Sequence, residues 1–272
     1  MAWTDTPHPL HPRHPLDTSL ASRIRSGRPL RGIFNGLPSP AIVEMCAYAG
    51  FDLLIIDNEH GSADLLMTEH LLRAARASAI PALVRCFEHE IARVLDMGAS
   101  GVQIPMVESA EQARELVQRV RYPLPGGLGG RRGSAFSTRA AGYGAFGGPA
   151  HTQLSNDAIV LVAMVETPQA VERAGEIAAV PGIDAVFVGP NDLAHAMGHE
   201  NRWTDEPVQR AIEKALRAVH GQGKCAGVLA LTPEEEARYA QWGGRYFATV
   251  TTSLITRAFR QAATDGRAEL SY

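Results

Sequence analysis

Between residues 32 and 250 the chain alternates short apolar runs with longer segments in which apolar residues recur every three or four positions. The short runs lie at 32–35, 53–57, 82–85, 101–105, 159–165, 185–188, 226–229 and 246–250. They are rich in Val and Ile and lack strict alternation, which is how strands buried on both faces read. Most gaps between them carry helical patterns. Residues 39–49 place Ile42, Val43, Met45 and Cys46 on a helical repeat, and residues 109–120 do so with Ala113, Leu116, Val117 and Val120. Residues 233–242 begin with Thr232 as N-cap, Pro233 at the first helical position and Glu234 to Glu236 in the first turn. Eight strands separated by helices predict an α/β chain folded as a (β/α)8 barrel. A doubly wound open sheet would also alternate. No G-x-G-x-x-G follows the first strand, however, and a count of eight favours closure.

Two segments break the rhythm. Residues 122–156, "YPLPGGLGGRRGSAFSTRAAGYGAFGGPAHTQLSN", are Gly-rich and have no clear period. A loop of that length inside a compact domain is usually functional. It follows the fourth strand's helix, so it starts near the bottom of the barrel, with length enough to reach a site elsewhere. The first seventeen residues, "MAWTDTPHPLHPRHPLD", place His8, His11 and His14 at a spacing of three. A metal-binding reading exists, but Pro disrupts any regular face, so a flexible or surface-draped tail is expected. No internal repeat or second linker is visible. The expected organisation is an N-terminal Pro/His-rich extension over 1–30 and a single barrel domain over 31–272.

Composition narrows the partners. With 26 Lys+Arg against 29 Asp+Glu the net charge is −3, so no basic field exists to attract nucleic acid or an anionic membrane. No apolar run is long enough for a membrane span, and the N-terminus lacks the apolar region of a secretory signal. The three cysteines, Cys46, Cys86 and Cys225, are far apart and odd in number. They make no disulfide framework or C-x-x-C pattern, which fits a reducing cytoplasm.

Ionisable residues gather where such a barrel does its chemistry, at the C-terminal ends of its strands. Asp57, Glu59 and His60 follow the second strand, in "IIDNEHGSADL", and Arg85 ends the third. Glu166 ends the fifth, and Asp192 follows the sixth. Charge is expensive at a strand end unless it is paired or bound to a metal. Glu166 and Asp192 end adjacent strands and can reach one cation, and two hard oxygen ligands suit Mg²⁺ or Mn²⁺. Alternatively, each carboxylate caps the helix that follows it, since Thr167–Pro168 and Asn191–Asp192–Leu193 read as helix starts. His60 reads as a general base or as a surface cap. Arg85 reads as half of a buried ion pair or as a fork for a carboxylate or enolate.

Six stretches carry a family resemblance: "IIDNEHG", "VRC", "GVQIPMV", "RYPLPG", "MVETPQAV" and "VFVGPNDLAHAMG". In this order, from about residue 32 to about 258, they resemble the HpcH/HpaI family of metal-dependent class II pyruvate aldolases, whose best-known type is the 4-hydroxy-2-oxoheptanedioate aldolase. Each motif alone is weak, but their combination is specific. The resemblance implies a phosphoenolpyruvate/pyruvate-binding type of barrel. It implies a divalent metal (Mg²⁺ or Mn²⁺, or Co²⁺) held by Glu166 and Asp192, with Asp57 and Glu59 around its water shell. It further implies His60 as base and Arg85 facing the keto or enolate oxygen. Asp96, in "LDMG", matches an Asp that pairs with the catalytic His, usually from a neighbouring subunit. The turn Gly189, Pro190, Asn191 and Asp192 is expected to offer backbone N–H groups to the pyruvate carboxylate. Arg132 matches an R-G step and is counted with the substrate-binding residues. A homohexamer built as a trimer of swapped dimers is implied as well.

This chain also departs from the pattern. Met164 stands where the family often has Gln, so a polar contact to substrate or water is expected to be missing. The extra glycines and Arg131 before Arg132 are unusual. Arg131, Arg132 and Arg139 read either as a binding site for an anionic acceptor aldehyde or as a subunit interface. "CFEHE" after Arg85 is shortened, and the N-terminus lies outside the match. The function expected is a carbon–carbon lyase that cleaves or forms 4-hydroxy-2-oxo acids through a pyruvate enolate. Its rivals are an oxaloacetate decarboxylase using the same chemistry and a non-catalytic small-acid-binding member. His60, Arg85, Glu166 and Asp192 together speak against the last, since a binding relic need not keep base, anion stabiliser and metal ligands at once.

Overall fold

The computed structural model describes residues 14–264. His8 and His11 lie outside the described residues. The strands are β1 (Leu30–Asn35), β2 (Leu53–Asp57), β3 (Ala82–Arg85), β4 (Gly101–Ile104), β5 (Val160–Val165), β6 (Ala185–Val188), β7 (Cys225–Leu229) and β8 (Gly244–Val250). All pairings are parallel and follow chain order, and β8 pairs back onto β1 to close the barrel. The eight apolar runs are thus the eight strands, with ends within two residues of those expected. The helices are α1 (Ser19–Arg25), α2 (Pro40–Tyr48), α3 (Leu65–Ala77), α4 (Ile91–Asp96), α5 (Ala110–Val120) and α6 (Gly148–Ala158), then α7 (Pro168–Glu172), α8 (Ala174–Ala179), α9 (Pro190–Ala196), α10 (Glu206–Gly221), α11 (Pro233–Gln241) and α12 (Thr251–Thr264).

Alternation along each strand divides the core in two. Outward-facing residues such as Leu54, Val84, Val102, Val186 and Val228 pack under the helices. Inward-facing residues such as Leu53, Ile55, Leu83, Val162, Phe187 and Tyr246 fill the barrel. The Tyr246 hydroxyl donates to Gln103 Oε1 at 3.1 Å across the interior. Gly227 makes room for both rings, because a Cβ there would stand 2.6 Å from Phe187 and 2.9 Å from Tyr246.

The chain ahead of β1 is packed as well. Leu20, Ala21 and Ile24 of α1 are buried against Leu30, Leu53, Val160, Ala185 and Cys225, which begin their strands. The helix α1 therefore plugs the bottom of the barrel, and the chain from Leu16 onward belongs to its core. A seven-residue helix behind a Pro-rich lead is too short to announce itself by periodicity.

The Gly-rich segment differs from the expected loop. It holds a short 3₁₀ helix at Arg139–Gly144 and the helix α6, which buries His151, Thr152, Ser155 and Ala158. That buried face is mostly polar, so no hydrophobic period marks it. The segment lies at the bottom of the barrel. Arg139 Nη1 donates to Met97 O at the end of α4, and Phe146 packs on His14. Arg121, buried beneath it, donates to Asn156 O and Ile159 O and pairs with Asp184. Among the described residues no helix is long and apolar enough to cross a membrane.

Candidate active site

The opposite end of the barrel carries the polar residues. Asp57 and Arg85 are register partners at the ends of β2 and β3. Arg85 Nε and Nη2 donate to Asp57 Oδ1 and Oδ2 at 2.8 and 2.6 Å, a two-pronged pair that fixes the guanidinium plane. Burial works to raise the Asp57 carboxyl pKa, but the hydrogen bonds and charge of Arg85 outweigh it and hold the group below the ordinary range. Burial likewise works against the Arg85 charge, and Asp57 more than compensates. The turn after β2 folds onto the same carboxylate, whose Oδ1 accepts the backbone N–H of Glu59 and of His60 at 3.2 Å each. Arg85 Nη1 lies 3.2 Å from Glu59 Oε2, and the guanidinium carbon lies 4.9 Å from the centre of the Phe34 ring.

Glu166, directly after β5, is only 2% exposed. Its Oε2 accepts the backbone N–H of Met106 at 2.7 Å. Met106 is a non-glycine residue at φ 55°, a sparsely populated conformation that aims this N–H into the site. On the other side the carboxylate leans over Gly189, where a Cβ would sit 2.6 Å from Oε1. Burial pushes the Glu166 carboxyl up to about 7; the Met106 N–H opposes this, and the charges of Asp192 and Glu59 add to it. The Glu59 carboxyl is also raised, by burial, with Arg85 and His60 opposing. Asp192 stands exposed in the first turn of α9.

This donor set fits a divalent cation. Asp57, Glu59, Glu166 and Asp192 are four carboxyl groups around one Arg85. Glu59 Oε2 is buried with no hydrogen bond directed at it among the described residues. Oxygen donors without a thiol suit a hard ion such as Mg²⁺ or Mn²⁺. No group of three or more His, Cys, Asp or Glu among the described residues is arranged to hold a metal, so Glu166 and Asp192 would share the ion with water or substrate oxygens.

A cleft of about 260 Å³ joins these groups. Asp57, His60, Arg85, Glu166, Gly189, Pro190, Asn191 and Asp192 line it, as the sequence reading expects. The His60 side chain is 62% exposed at the rim, with Nε2 3.9 Å from Glu59 Oε2. Glu59 contacts Arg85 without lining the cleft, and two further expected residues, Arg132 and Asp96, lie away from it. Arg132 is buried at the bottom, donating to Asp96 Oδ1 at 2.7 Å and to Ser155 Oγ at 3.3 Å, with Tyr122 under its guanidinium. Within one chain Arg132 and Asp96 are each other's partners and contact neither His60 nor the cleft. Arg131 pairs with Glu115 on α5, and Arg139 is spent on backbone carbonyls, so neither Arg lines the cleft. The sequence reading misses Phe34, Phe187, Leu229 and Val250, which form the cleft's apolar side together with Met164. Their strands end without a charged residue, so no sequence signal marks them.

The chain belongs to the HpcH/HpaI aldolase/citrate lyase family, whose model matches residues 30–255. It is 40% identical over 253 residues to a hydroxypyruvate/pyruvate aldolase of Deinococcus radiodurans, covering 92% of this chain and 90% of that one. A hydroxypyruvate/pyruvate aldolase of Delftia acidovorans is 38% identical, with 86% and 87% covered. Among solved structures, an HpcH/HpaI aldolase/citrate lyase family protein from Burkholderia cenocepacia superposes with a TM-score of 0.86 at 32% identity, over 93% of this chain and all of that one. The protein is accordingly a carbon–carbon lyase of the aldolase class, built on a (β/α)8 barrel.

Proposed function

We propose that this protein is a divalent-metal-dependent aldolase that splits 4-hydroxy-2-oxo acids into pyruvate and an aldehyde and catalyses the reverse addition. The observation that carries this reading is the buried Glu166, paired with Asp192 and facing Arg85 across one cleft. Relatives named hydroxypyruvate/pyruvate aldolases support a 2-oxo acid donor. Glu166 and Asp192 would hold Mg²⁺ or Mn²⁺, with Asp57 and Glu59 beside it. When bound, the ion supplies Lewis-acid polarisation of the 2-oxo group. Arg85 stays charged across the working pH range and faces the negative charge that develops on the keto oxygen, in an orientation fixed by Asp57. The backbone N–H of Gly189 is used by Val165 O, and Pro190 has none. The donors left for the substrate carboxylate are Asn191 and Asp192. In the cleavage direction His60 accepts the proton of the 4-hydroxyl as the C3–C4 bond breaks and the aldehyde leaves. It then returns that proton to C3 of the enolate, giving pyruvate.

The test is exchange of pyruvate methyl protons into D₂O, followed by a screen of 4-hydroxy-2-oxo acids for pyruvate release. Exchange that depends on added Mg²⁺ or Mn²⁺ is expected. A protein inert with every divalent ion sinks the reading. Carbon dioxide released from oxaloacetate well above the metal-only background would favour the decarboxylase instead.

The reading extends to a homo-oligomer. Apart from Thr251, no residue of α12 is buried, and Phe259 is 70% exposed. Beside it an apolar groove of about 460 Å³, lined by Phe51, Leu231, Pro233, Ala237 and Phe247, lies over β8 and β1. A helix held to its own barrel by little more than Thr251 and Leu254, next to an unfilled groove, supports exchange of α12 between two copies, as in the implied hexamer of swapped pairs. Cys46, Cys86 and Cys225 are free and buried, which supports a reducing cytoplasm.

A further inference from the structure

Around the mouth of the barrel the polar cleft residues are confined to one arc. Asp57 and His60 come from the end of β2, Arg85 from β3, Glu166 from β5 and Asp192 from beyond β6. The three remaining strand ends that line the cleft, β7, β8 and β1, are consecutive in the closed sheet. They contribute Leu229, Val250 and Phe34. The segments that continue from them, the loops 36–39 and 230–232 and the first turn of α12 at 251–253, contain no ionisable side chain. Arg85 is the one guanidinium or ammonium group lining the cleft among the described residues. All three of its nitrogens face carboxylates: Nε and Nη2 bond Asp57, and Nη1 lies against Glu59. The arginines of the Gly-rich segment are at the far end of the barrel.

From this division we infer that the acceptor side of the site selects an uncharged aldehyde, its carbon chain lying on Leu229 and Val250, against one bearing a carboxylate or phosphate. The inference rests on the aldolase reading and adds the class of the second substrate. The donor 2-oxo acid needs the polar arc for its carboxylate and keto oxygen. The aldehyde carbon must approach the enolate from the side that remains, which is the apolar arc. A methylene laid on that arc gains roughly three- to fourfold in binding. An anionic group laid on Leu229 and Val250 leaves water for apolar side chains with no positive charge among them, and it sits near four carboxyl groups.

Two acceptors of equal carbon count, butanal and 4-oxobutanoate, test this in the addition to pyruvate with Mg²⁺ or Mn²⁺. The expected kcat/KM for butanal exceeds that for 4-oxobutanoate by at least tenfold. Placing a cation on the arc with Val250→Lys is expected to narrow or invert that ratio. Pyruvate proton exchange is measured in parallel, because it reads the donor half alone. If exchange occurs but wild-type protein uses 4-oxobutanoate as well as butanal, the inference falls and the aldolase reading stands. If exchange is absent with Mg²⁺, Mn²⁺ and Co²⁺ alike, both fall. The wild-type ratio decides the matter even where Val250→Lys fails to fold.

Discussion

At the scale of single residues, Glu166 is the most consequential. Burial raises its carboxyl above the ordinary 4.5 to about 7. Between those values the metal-free folded protein holds a proton that the unfolded chain has released. Its stability therefore falls as pH rises through that window. Thermal midpoints of the metal-free protein should drop by several degrees between pH 5 and 7.5, and Glu166→Gln should remove the slope. The same proton competes with a cation. Affinity for Mn²⁺, followed by titration calorimetry, should rise about tenfold per pH unit and level off near pH 7. Gly189 gives a sharper test of geometry. A methyl group there would stand 2.6 Å from Glu166 Oε1 and push the carboxylate off its place. Gly189→Ala should lower kcat/KM by about 10²-fold while leaving the urea midpoint nearly unchanged.

At the scale of elements, α1 is a stopper. Leu20 is fully buried at the bottom of the barrel. Leu20→Ala should cost about 2–5 kcal/mol of unfolding free energy, read from urea titrations, with pyruvate exchange by the surviving folded fraction unaltered. The same residues explain what was legible in the chain. The strands could be read because both faces of each are apolar, so the runs are unbroken and end abruptly at Asp57, Arg85 or Glu166. That very continuity hides which face turns inward. Leu229 and Val250 look like any other strand residues, and the apolar half of the cleft went unread. The helix α6 escaped because it buries His151, Thr152 and Ser155 in place of an aliphatic stripe. Within one chain Arg132 lies away from the cleft, because a motif match carries residue identity but not which end of the barrel a side chain reaches.

At the scale of the whole molecule, the two ends divide the labour. Ion pairs such as Arg121–Asp184 and Arg132–Asp96, together with α1, tie the bottom, while the top gathers its charges around the cleft. Removing α12 tests the proposed assembly: a chain ending at residue 250 should sediment as a smaller species than the full protein. The rings that Gly227 admits also decide how the cleft can be reached. Phe187 and Tyr246, with the Tyr246–Gln103 bond and α1 below them, close the barrel lumen. The cleft is then a blind alley with a single door, and traffic through it must be ordered. On the proposed aldolase reading, the 2-oxo acid seated against Arg85 and Glu166 has to arrive before the aldehyde and leave after it. In the cleavage direction pyruvate should inhibit competitively against the hydroxy-oxo acid, and the aldehyde should not; initial-rate product-inhibition patterns would settle the order.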